Sequence, residues 1–171
     1  MIVLNQYKNK VVKYDLINKF NYKKLTHIPE LKYIILNFNL KKIDTKLLIT
    51  VLGSLKLITL QNPKVTTSKV SNVVFKIRKG QPIGCLVTLR HIRMNKFLFI
   101  LLNKLLPNFK PISLNSNNTF SITLNNSLIF DELEQNYQFF KNLPALNAHI
   151  KFTKCSLLEL KYLIKSYKLH V

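Results

Sequence analysis

The sequence is a strongly basic chain of 171 residues. It contains 27 Lys and Arg against 7 Asp and Glu, which gives a net charge of +20 at pH 7, and 47% of its residues are hydrophobic. This apolar fraction excludes a disordered basic tail, because enough surface can be buried to offset the entropy of ordering the chain. A folding chain with this charge repels itself unless a polyanion supplies countercharge. Length and charge therefore predict a single domain over residues 1–171 that binds nucleic acid or an anionic membrane surface.

The first third of the chain predicts a helix, a strand and a second helix. Apolar residues recur every three or four positions from Leu4 to Phe20, which is typical of an amphipathic helix. Asp44 is suited to cap a helix that runs to about Leu60. Between them, Leu31–Leu40 alternates as a strand does. Its first face carries Ile34, Leu36, Phe38 and Leu40, and its second face carries Tyr33, Ile35, Asn37 and Asn39. The two asparagines suggest that the second face is not simply core.

The middle third predicts two strands joined by a glycine-containing loop. Residues 64–72 are rich in Thr, Ser and Lys, which favours an irregular polar stretch. Val73–Arg78 is a candidate strand, the loop Lys79–Gly84 follows, and Cys85–Arg90 is the next strand. A strongly apolar helix is then predicted over Met94–Leu106, where Pro107 ends it.

The last third predicts more strands and a final helix. Residues 111–118 suggest a loop, Phe120–Leu124 alternates as a strand, and Leu128–Phe130 is expected to continue the sheet. Leu146–Thr153 alternates cleanly, with Asn147, His149, Lys151 and Thr153 on its polar side. Ser156 and Glu159 have the spacing of a capping box that opens a helix. The chain is therefore predicted to be α+β, with an antiparallel sheet of about five strands and helices packed mainly on one face.

The chain offers little for catalysis or metal binding. Cys85 and Cys155 lie far apart, so neither a zinc knuckle nor a disulfide framework is indicated. Gly80 and Gly84 lack the spacing of a Walker loop, and they lead into a strand instead of a helix. Four histidines show no ligand spacing: His27, His91, His149 and His170. The sequence predicts no catalytic residue, no metal site and no cofactor.

Membrane insertion is also not predicted. The longest apolar run, Phe97–Leu102, has six residues, whereas a membrane-spanning helix needs about 20. The N-terminus lacks Arg and contains Asp15, so we interpret it as part of the folded domain and not as a targeting segment.

The cations are concentrated in the middle of the chain. No Asp or Glu occurs in the 86 residues between Asp44 and Asp131. Repulsion accumulates in such a segment without a countercharge, and backbone phosphates would relieve it. Nearby Asn, Gln and Thr side chains could then bind bases, riboses or phosphates. The candidate RNA-binding cations are Lys64, Lys69, Lys76, Arg78, Lys79, Arg90 and Arg93.

One segment is recognisable. Residues 74–90, Val-Phe-Lys-Ile-Arg-Lys-Gly-Gln-Pro-Ile-Gly-Cys-Leu-Val-Thr-Leu-Arg, closely resemble the most distinctive part of the bacterial-type large-subunit ribosomal protein five, the 5S rRNA-binding L-five family. The stretches Tyr7–Tyr22, Pro29–Asn37, Gln61–Pro63 and Met94–Phe109 agree with it in order and spacing. The likeness is strong from about residue 7 to 110, and residues 111–171 diverge from it.

The resemblance implies a structural, non-enzymatic protein of the central protuberance of the large ribosomal subunit. In this family the concave face of the sheet binds 5S rRNA through residues that correspond here to Asn37, Gln61 and Thr88. The family's basic loop reaches toward the T-loop of a P-site tRNA, and its distal side meets a small-subunit head protein at an intersubunit bridge. The remaining implied partners are large-subunit rRNA and neighbouring central-protuberance proteins. The implied tRNA-facing residues are Lys69, Lys79, Gly80, Gln81, Pro82 and Gly84.

The chain departs from the family pattern at several places. A family glycine is replaced at Lys110 or Pro111, and the glycine-rich segment near Asn117 has become asparagines. The chain holds 24 Lys but 3 Arg, together with 19 Asn and 2 Ala, a bias typical of an A+T-rich genome. With a start at the family's first helix and no presequence, this bias favours a protein made in the mitochondrial matrix for the mitochondrial ribosome; a plastid or an endosymbiont is the alternative. In organelles without 5S rRNA, another rRNA element would take its place.

Two other functions fit parts of the sequence. A non-ribosomal organellar RNA-processing or maturation factor would need an acid, a base or a metal cluster, for which Asp131 and Glu132 would be the residues to test. A basic peripheral membrane protein is suggested by the apolar Met94–Leu106 helix, but that helix carries little charge for a cationic face. The sequence favours the ribosomal function over both.

Overall fold

The structure is a computed structural model that describes residues 6–40, 44–105, 114–115 and 118–167. Contacts between Cα atoms divide the chain into two compact units. The first unit comprises Met1–Ile34, Leu89–Ile122 and His149–Val171, and the second comprises Ile35–Thr88 and Thr123–Ala148. The single domain over residues 1–171 stays a prediction.

The strands form one antiparallel sheet. In the part of the chain that the structure describes they are β1 (Leu31–Asn39), β2 (Lys64–Thr67), β3 (Pro82–Leu89), β4 (Leu114–Asn115), β5 (Thr119–Leu124) and β6 (Leu146–Phe152). Their spatial order is β2-β3-β1-β6-β5-β4. Five strands are longer than the two-residue β4, and the predicted α+β class with about five antiparallel strands is confirmed.

Six helices occur within the described residues. Helix α1 consists of a π-helical segment, Lys8–Val12, followed by Lys13–Lys19. The other bounds are α2 (Thr45–Thr59), α3 (His91–Ile100), α4 (Asp131–Glu134), α5 (Tyr137–Phe140) and α6 (Leu157–Ser166). A second π-helical segment, Leu101–Leu105, continues α3. Each helix in the described ranges is too short or too polar to span a membrane.

The first unit joins the two ends of the described chain. The Tyr7 hydroxyl of the N-terminal helical region donates a hydrogen bond to the Ser166 carbonyl oxygen at the end of α6, over 2.8 Å. The Phe20 and Tyr162 rings meet edge to face at 5.9 Å, a geometry worth about 1 kcal/mol beyond buried area. The predicted capping box is confirmed, because Ser156 and Glu159 each bind the other's backbone N–H. The unit's core is Val12, Leu16, Ile28, Leu31, Ile34, Leu89, Met94, Phe97, Leu98, Leu101, Phe120, Ile122, Ile150, Phe152, Leu160, Leu163, Ile164 and Tyr167.

The second unit is organised around α2. The predicted cap is confirmed, because the Asp44 carboxylate accepts the Lys46 backbone N–H at 3.0 Å. Two buried hydroxyls of this helix donate to backbone carbonyls one turn earlier, Ser54 to Val51 at 2.8 Å and Thr59 to Leu55 at 2.6 Å, so neither is left unsatisfied. The unit's core is Leu36, Phe38, Leu40, Val51, Leu55, Ile58, Cys85, Val87, Leu124, Phe130, Leu133, Phe140, Leu146 and Ala148.

The prediction for residues 64–78 was wrong. A strand, β2, forms at Lys64–Thr67, where an irregular stretch was expected, and the strand expected at Val73–Arg78 is a turn closed by one bridge between Asn72 and Ile77. Polar β-branched residues suit an edge strand, whose outer side stays solvated. A prediction from apolar composition alone therefore put the strand at Val73–Arg78 instead of Lys64–Thr67.

Three smaller boundaries also differ. The Asn126 side chain accepts the Leu128 N–H at 3.0 Å and starts a 3₁₀ turn, Ser127–Ile129, where sheet was expected. Strand β3 begins at Pro82 instead of Cys85, and α3 begins at His91 instead of Met94. The predicted helix end at Pro107 and most of the loop at 111–118 lie outside the described residues.

The ion pairs of Glu30 make the fold sensitive to acid. The Glu30 carboxylate binds the Lys8 and Lys13 ammonium groups at 3.0 and 2.9 Å. Burial alone would raise its pKa, but these two lysines outweigh burial, and the pKa lies below its ordinary value. The stabilisation is therefore full above the unfolded pKa of about 4.3 and is lost as the pH falls through the depressed folded value.

We expect the melting temperature of Glu30→Gln to be below that of the wild type at pH 6 and to approach it as the pH falls toward 3. Thermal unfolding followed by circular dichroism measures this difference. The change Asp15→Asn, at an acid that forms no ion pair with any described residue, is the control. A difference that is constant with pH would contradict the ion-pair account.

Candidate nucleic-acid interface

The sheet has one buried face and one half-exposed polar face. Along β1, β5 and β6 the side chains alternate between buried and half-buried over most of each strand. Strand β3 follows the same alternation from Cys85 onward. We call the half-exposed side the polar face. Its residues are Tyr33, Ile35, Asn37 and Asn39 on β1, Leu86 and Thr88 on β3, Thr119, Ser121 and Thr123 on β5, and Asn147, His149 and Lys151 on β6.

The Asn37 side chain on this face has only one of its two polar atoms hydrogen-bonded. Its Nδ2 donates a long hydrogen bond of 3.4 Å to Asn39 Oδ1. Its Oδ1 is buried and has no hydrogen-bond partner among the described residues. Leaving such an acceptor unpaired costs about 1–3 kcal/mol. A donor that reaches this oxygen when the carboxamide turns outward would remove this cost, so the position predicted to bind 5S rRNA has an unused acceptor.

Lys64 and Thr66 extend the polar face of the second unit to the edge strand. In the β2–β3 pairing, Lys64 lies opposite Leu86 and Thr66 lies opposite Gly84. Residues directly opposite in an antiparallel pair point to the same side. The polar face of this unit therefore presents one cation, Lys64, beside hydroxyl and amide groups. Thr88 is half-buried on the neighbouring strand, and Gln61 lies in the turn between α2 and β2, where its N–H donates to Thr59 Oγ1 at 3.3 Å.

Gly84 allows three strand backbones to pack closely beneath this face. A Cβ atom built at Gly84 would overlap the Phe38 carbonyl oxygen of β1 and lie 3.3 Å from Thr66 Oγ1 of β2. The structure therefore corrects the predicted place of this glycine. Gly84 is buried inside β3, and with Pro82 it is not part of the exposed loop. Close backbone approach requires a glycine at this position, and tRNA contact by Gly84 and Pro82 stays a prediction.

The first unit contributes a second set of polar groups. The Arg90 guanidinium lies 5.6 Å from the centre of the Tyr33 ring, within cation–π range. Ser121 Oγ and His149 Nδ1 are 2.8 Å apart, and Lys151 Nζ donates to Thr119 Oγ1 at 3.3 Å. Arg93 is exposed in the first turn of α3.

The polar side chains of β5 and β6 were not among the residues that the sequence predicted to bind RNA. The signal was present, because the alternation of Leu146–Thr153 had already separated Asn147, His149 and Lys151 from the apolar side. In the second unit, Thr123 Oγ1 donates to Asn147 Oδ1 at 3.0 Å. These cross-strand hydrogen bonds hold polar side chains in fixed positions.

The basic loop, residues 68–81, is an ordered hairpin that carries four cations. Ser68 N–H donates to the Gln81 carbonyl and Gly80 N–H to the Ser68 carbonyl, each over 2.9 Å. Gln81 is half-buried, and its Oε1 accepts the Arg78 N–H at 2.7 Å. The exposed cations are Lys69, Lys76, Arg78 and Lys79. The four cations therefore lie on a loop whose backbone is held by hydrogen bonds.

The tip of the basic loop is apolar. The Asn72 carboxamide oxygen accepts the backbone N–H groups of Val74 and Phe75 at 3.0 and 3.4 Å. This turn leaves Val73, Val74 and Phe75 exposed by 91%, 84% and 71%. This apolar run therefore lies in a turn and not in the strand that the sequence predicted.

No three His, Cys, Asp or Glu side chains in the described ranges are grouped as metal ligands. Cys85 is buried, and burial raises the pKa of its thiol to about 11, an effect that a hydrogen bond from the Phe38 backbone only partly offsets. A thiol with this pKa is a poor nucleophile at neutral pH.

The comparisons with known proteins agree with this picture. A family profile described as the C-terminus of the ribosomal L5 family matches residues 82–171. The match extends through residues 111–171, where fewer family residues are recognisable in the sequence.

Curated relatives cover nearly the whole chain. The large ribosomal subunit protein uL5 of Nitrosomonas eutropha is 32% identical over 97% of this chain and 96% of its own, and uL5 of Geotalea uraniireducens is 36% identical over 98% and 97%. The large ribosomal subunit protein uL5m of Reclinomonas americana is 34% identical over 97% and 96%. The polar, acid-poor surface and these matches agree, and the chain belongs to the uL5 family of large-subunit ribosomal proteins, which are structural and not enzymatic.

Proposed function

We propose that this large-subunit ribosomal protein binds 5S rRNA, or the rRNA element that replaces it, through the polar face of its sheet. The observation that carries the proposal is the buried, unpaired Oδ1 of Asn37. RNA supplies donors for such an acceptor from the 2′-hydroxyl and from base amino groups. Thr88 and Lys64, on the neighbouring strands, add a hydroxyl and a cation for the sugar–phosphate backbone.

Charge supports RNA as the partner of both units. The chain carries +20, and residues 45–130 contain no carboxylate. Phosphates would neutralise the cations of this segment and release counterions, which makes binding dependent on salt. All seven cations that were predicted to bind RNA are exposed: Lys64, Lys69, Lys76, Arg78, Lys79, Arg90 and Arg93.

We propose that the basic loop contacts the P-site tRNA and not 5S rRNA. The support is its separate cationic surface, which has Gly80 at a left-handed φ of 86° and an exposed apolar tip. We also propose that the distal side of the basic loop meets a small-subunit head protein at the intersubunit bridge. Asp131, Glu132 and Glu134 supply three of the chain's seven carboxylates and form a separate patch that a basic partner would complement. Large-subunit rRNA and other central-protuberance proteins complete the proposed partners.

We place the protein in the mitochondrial ribosome. The support is the excess of Lys over Arg, 24 to 3, together with the similarity to a mitochondrial uL5m. The bacterial relatives are similar to the same degree, so sequencing the genome that encodes the chain is the direct test. A bacterial chromosome as its source would reject this location.

The sheet-face assignment is tested by two alanine substitutions. We expect Asn37→Ala and Thr88→Ala each to weaken binding to 5S rRNA by about 1 kcal/mol, or about fivefold, the scale of one net hydrogen bond. Filter binding with the purified chain measures the affinity. Asn125→Ala and Thr26→Ala change exposed residues of the same types and serve as controls. Unchanged affinity in both test variants would reject the assignment.

A further inference from the structure

The apolar tip of the basic loop, formed by Val73, Val74 and Phe75, is a hydrophobic surface that the described residues do not cover. All three side chains are exposed. The Phe75 ring forms no contact with another ring in the described ranges. Neighbouring apolar side chains that are exposed together mark interaction sites. The tip is therefore expected to be covered by a partner.

Hydrogen bonds hold the apolar tip in one conformation. The Asn72 and Ile77 backbones exchange two hydrogen bonds, over 2.8 and 2.9 Å, and the Lys76 N–H donates to the Val73 carbonyl at 3.0 Å. The two valines are branched at Cβ, which restricts their rotamers. A surface that is ordered before binding loses little conformational entropy when a partner covers it.

The residue after Phe75 has an unusual backbone conformation. The φ of Lys76 is 54°, in the left-handed region that residues with a Cβ atom rarely adopt. Glycine would fit this position with less strain. Strain of this kind is concentrated at binding sites, where the geometry that it maintains has a use. In this turn the strained position places a cation next to the aromatic residue in the chain.

The charges of the basic loop specify an anionic partner. Residues 68–81 contain no Asp or Glu, and the four cations of the loop form no ion pair with a described residue. A partner must therefore combine negative charge with a flat apolar face. An unpaired nucleotide has both, because its phosphate is anionic and its base can stack on an aromatic side chain.

We propose that Phe75 stacks on an unpaired base of the RNA that the basic loop contacts, while the loop cations bind the phosphates on either side. Every base has a π-face, so this contact tolerates any sequence. Membership of a ribosomal protein family favours RNA over an anionic membrane as the partner. The inference rests on the proposal that the loop binds RNA, but it does not require that this RNA is tRNA.

The test uses the full-length chain and two RNA stem-loops that differ only in their loop bases. One has a loop of unpaired adenosines, and the other has the same riboses and phosphates without bases. Filter binding measures both affinities. We expect Phe75→Ala to weaken binding to the adenosine loop about fivefold, because one stacked base is lost. Binding to the base-free loop should stay within about twofold, since its phosphate contacts are unchanged.

Phe139→Ala is the matched control. Phe139 belongs to the same unit as Phe75 and is similarly exposed, 74% against 71%, but it follows the acid-rich segment 131–134 instead of a cationic one. We expect this variant to bind both stem-loops as the wild type does. Neither ring is part of the core, so equal melting temperatures of the three proteins verify that each variant is folded.

A fluorescent variant reports the stacking directly. The chain contains no tryptophan, so Phe75→Trp introduces a single indole at the apolar tip. We expect its emission to be quenched in a saturable way by the adenosine loop and to change little with the base-free loop. Phe139→Trp should show no quenching with either RNA.

Equal losses of affinity for the two stem-loops in Phe75→Ala, or equal quenching of Phe75→Trp by both, would overturn the proposal. Emission that is unchanged by both RNAs but shifts to the blue on vesicles of anionic phospholipid would assign the tip to a membrane. The stem-loops contain neither 5S rRNA nor tRNA, so failure of the polar-face or tRNA assignments would leave these comparisons unchanged. Failure of the stacking contact would likewise leave the Asn37 and Thr88 experiment intact.

Discussion

Gly84→Ala is expected to lower the free energy of unfolding by about 3 kcal/mol, the upper range for forcing extra volume into a packed site. The added methyl group would overlap the Phe38 carbonyl oxygen, which is part of the β1 backbone. A backbone atom in a central strand cannot rotate away as a flexible side chain can. Either β1 and β3 separate, with loss of ladder hydrogen bonds, or β2 moves from the sheet edge.

The other two glycines provide a matched series for this prediction. At Gly53, inside α2, the nearest atom to an added Cβ is Phe140 Cε1 at 3.9 Å, an ordinary contact. Gly53→Ala should therefore stabilise the protein by about 0.5–1 kcal/mol. Gly80 has open space around it but a φ of 86°, so Gly80→Ala should destabilise by about 1–2 kcal/mol.

Urea unfolding of the three variants measures these differences. The expected order of stability is Gly53→Ala above wild type, then Gly80→Ala, then Gly84→Ala. If Gly84→Ala were as stable as wild type, the close packing of β1, β2 and β3 at this residue would be wrong.

Elements with local determinants were predicted best from the sequence. The Asp44 cap, the Ser156–Glu159 capping box and the alternation of β1 depend on residues within a few positions of one another. Local hydrogen bonds and one buried face determine whether these caps and this strand form. The structure reproduces each of them.

Elements that depend on distant partners were predicted less well. The edge strand β2 exists because it pairs with β3, from Lys64 opposite Leu86 to Thr67 opposite Pro82. Its polar residues carry no apolar periodicity that would reveal this pairing. The apolar Val73–Phe75 run was mistaken for a strand because the Asn72 side chain, which holds the turn, acts through backbone N–H groups.

The features of the candidate site also divide into those that local patterns predict and those that depend on distant partners. Asn37 and Thr88 could be placed on a polar face from alternation alone. The unpaired Asn37 oxygen could not be predicted, because it is defined by what neighbouring elements bury. Gly84 shows the reverse case, since its family position suggested an exposed loop and its neighbours show a packing constraint.

The second large expected effect is on 5S rRNA affinity, and it distinguishes the cations of the sheet from those of the basic loop. The double change Lys64→Ala and Arg90→Ala removes one strand-associated cation from each unit. We expect it to weaken 5S rRNA binding about 50-fold at 0.15 M KCl, since a hydrogen bond to a charged group contributes about 1.5–3 kcal/mol before solvent screening. The slope of log K against log salt should become less negative by about 1.5, for two lost phosphate contacts.

The matched comparison removes twice as many charges from the basic loop. Lys69, Lys76, Arg78 and Lys79 are all replaced by alanine, and all four are exposed. If the loop faces tRNA, these cations make no 5S contact, and salt at 0.15 M screens their field beyond about 8 Å. The four-residue variant should therefore keep its 5S affinity within about threefold, yet release P-site tRNA faster when it is assembled into ribosomes. A larger loss of 5S affinity in the loop variant than in the double variant would assign the loop to 5S rRNA and overturn the proposed separation, because the number of charges alone would predict that order.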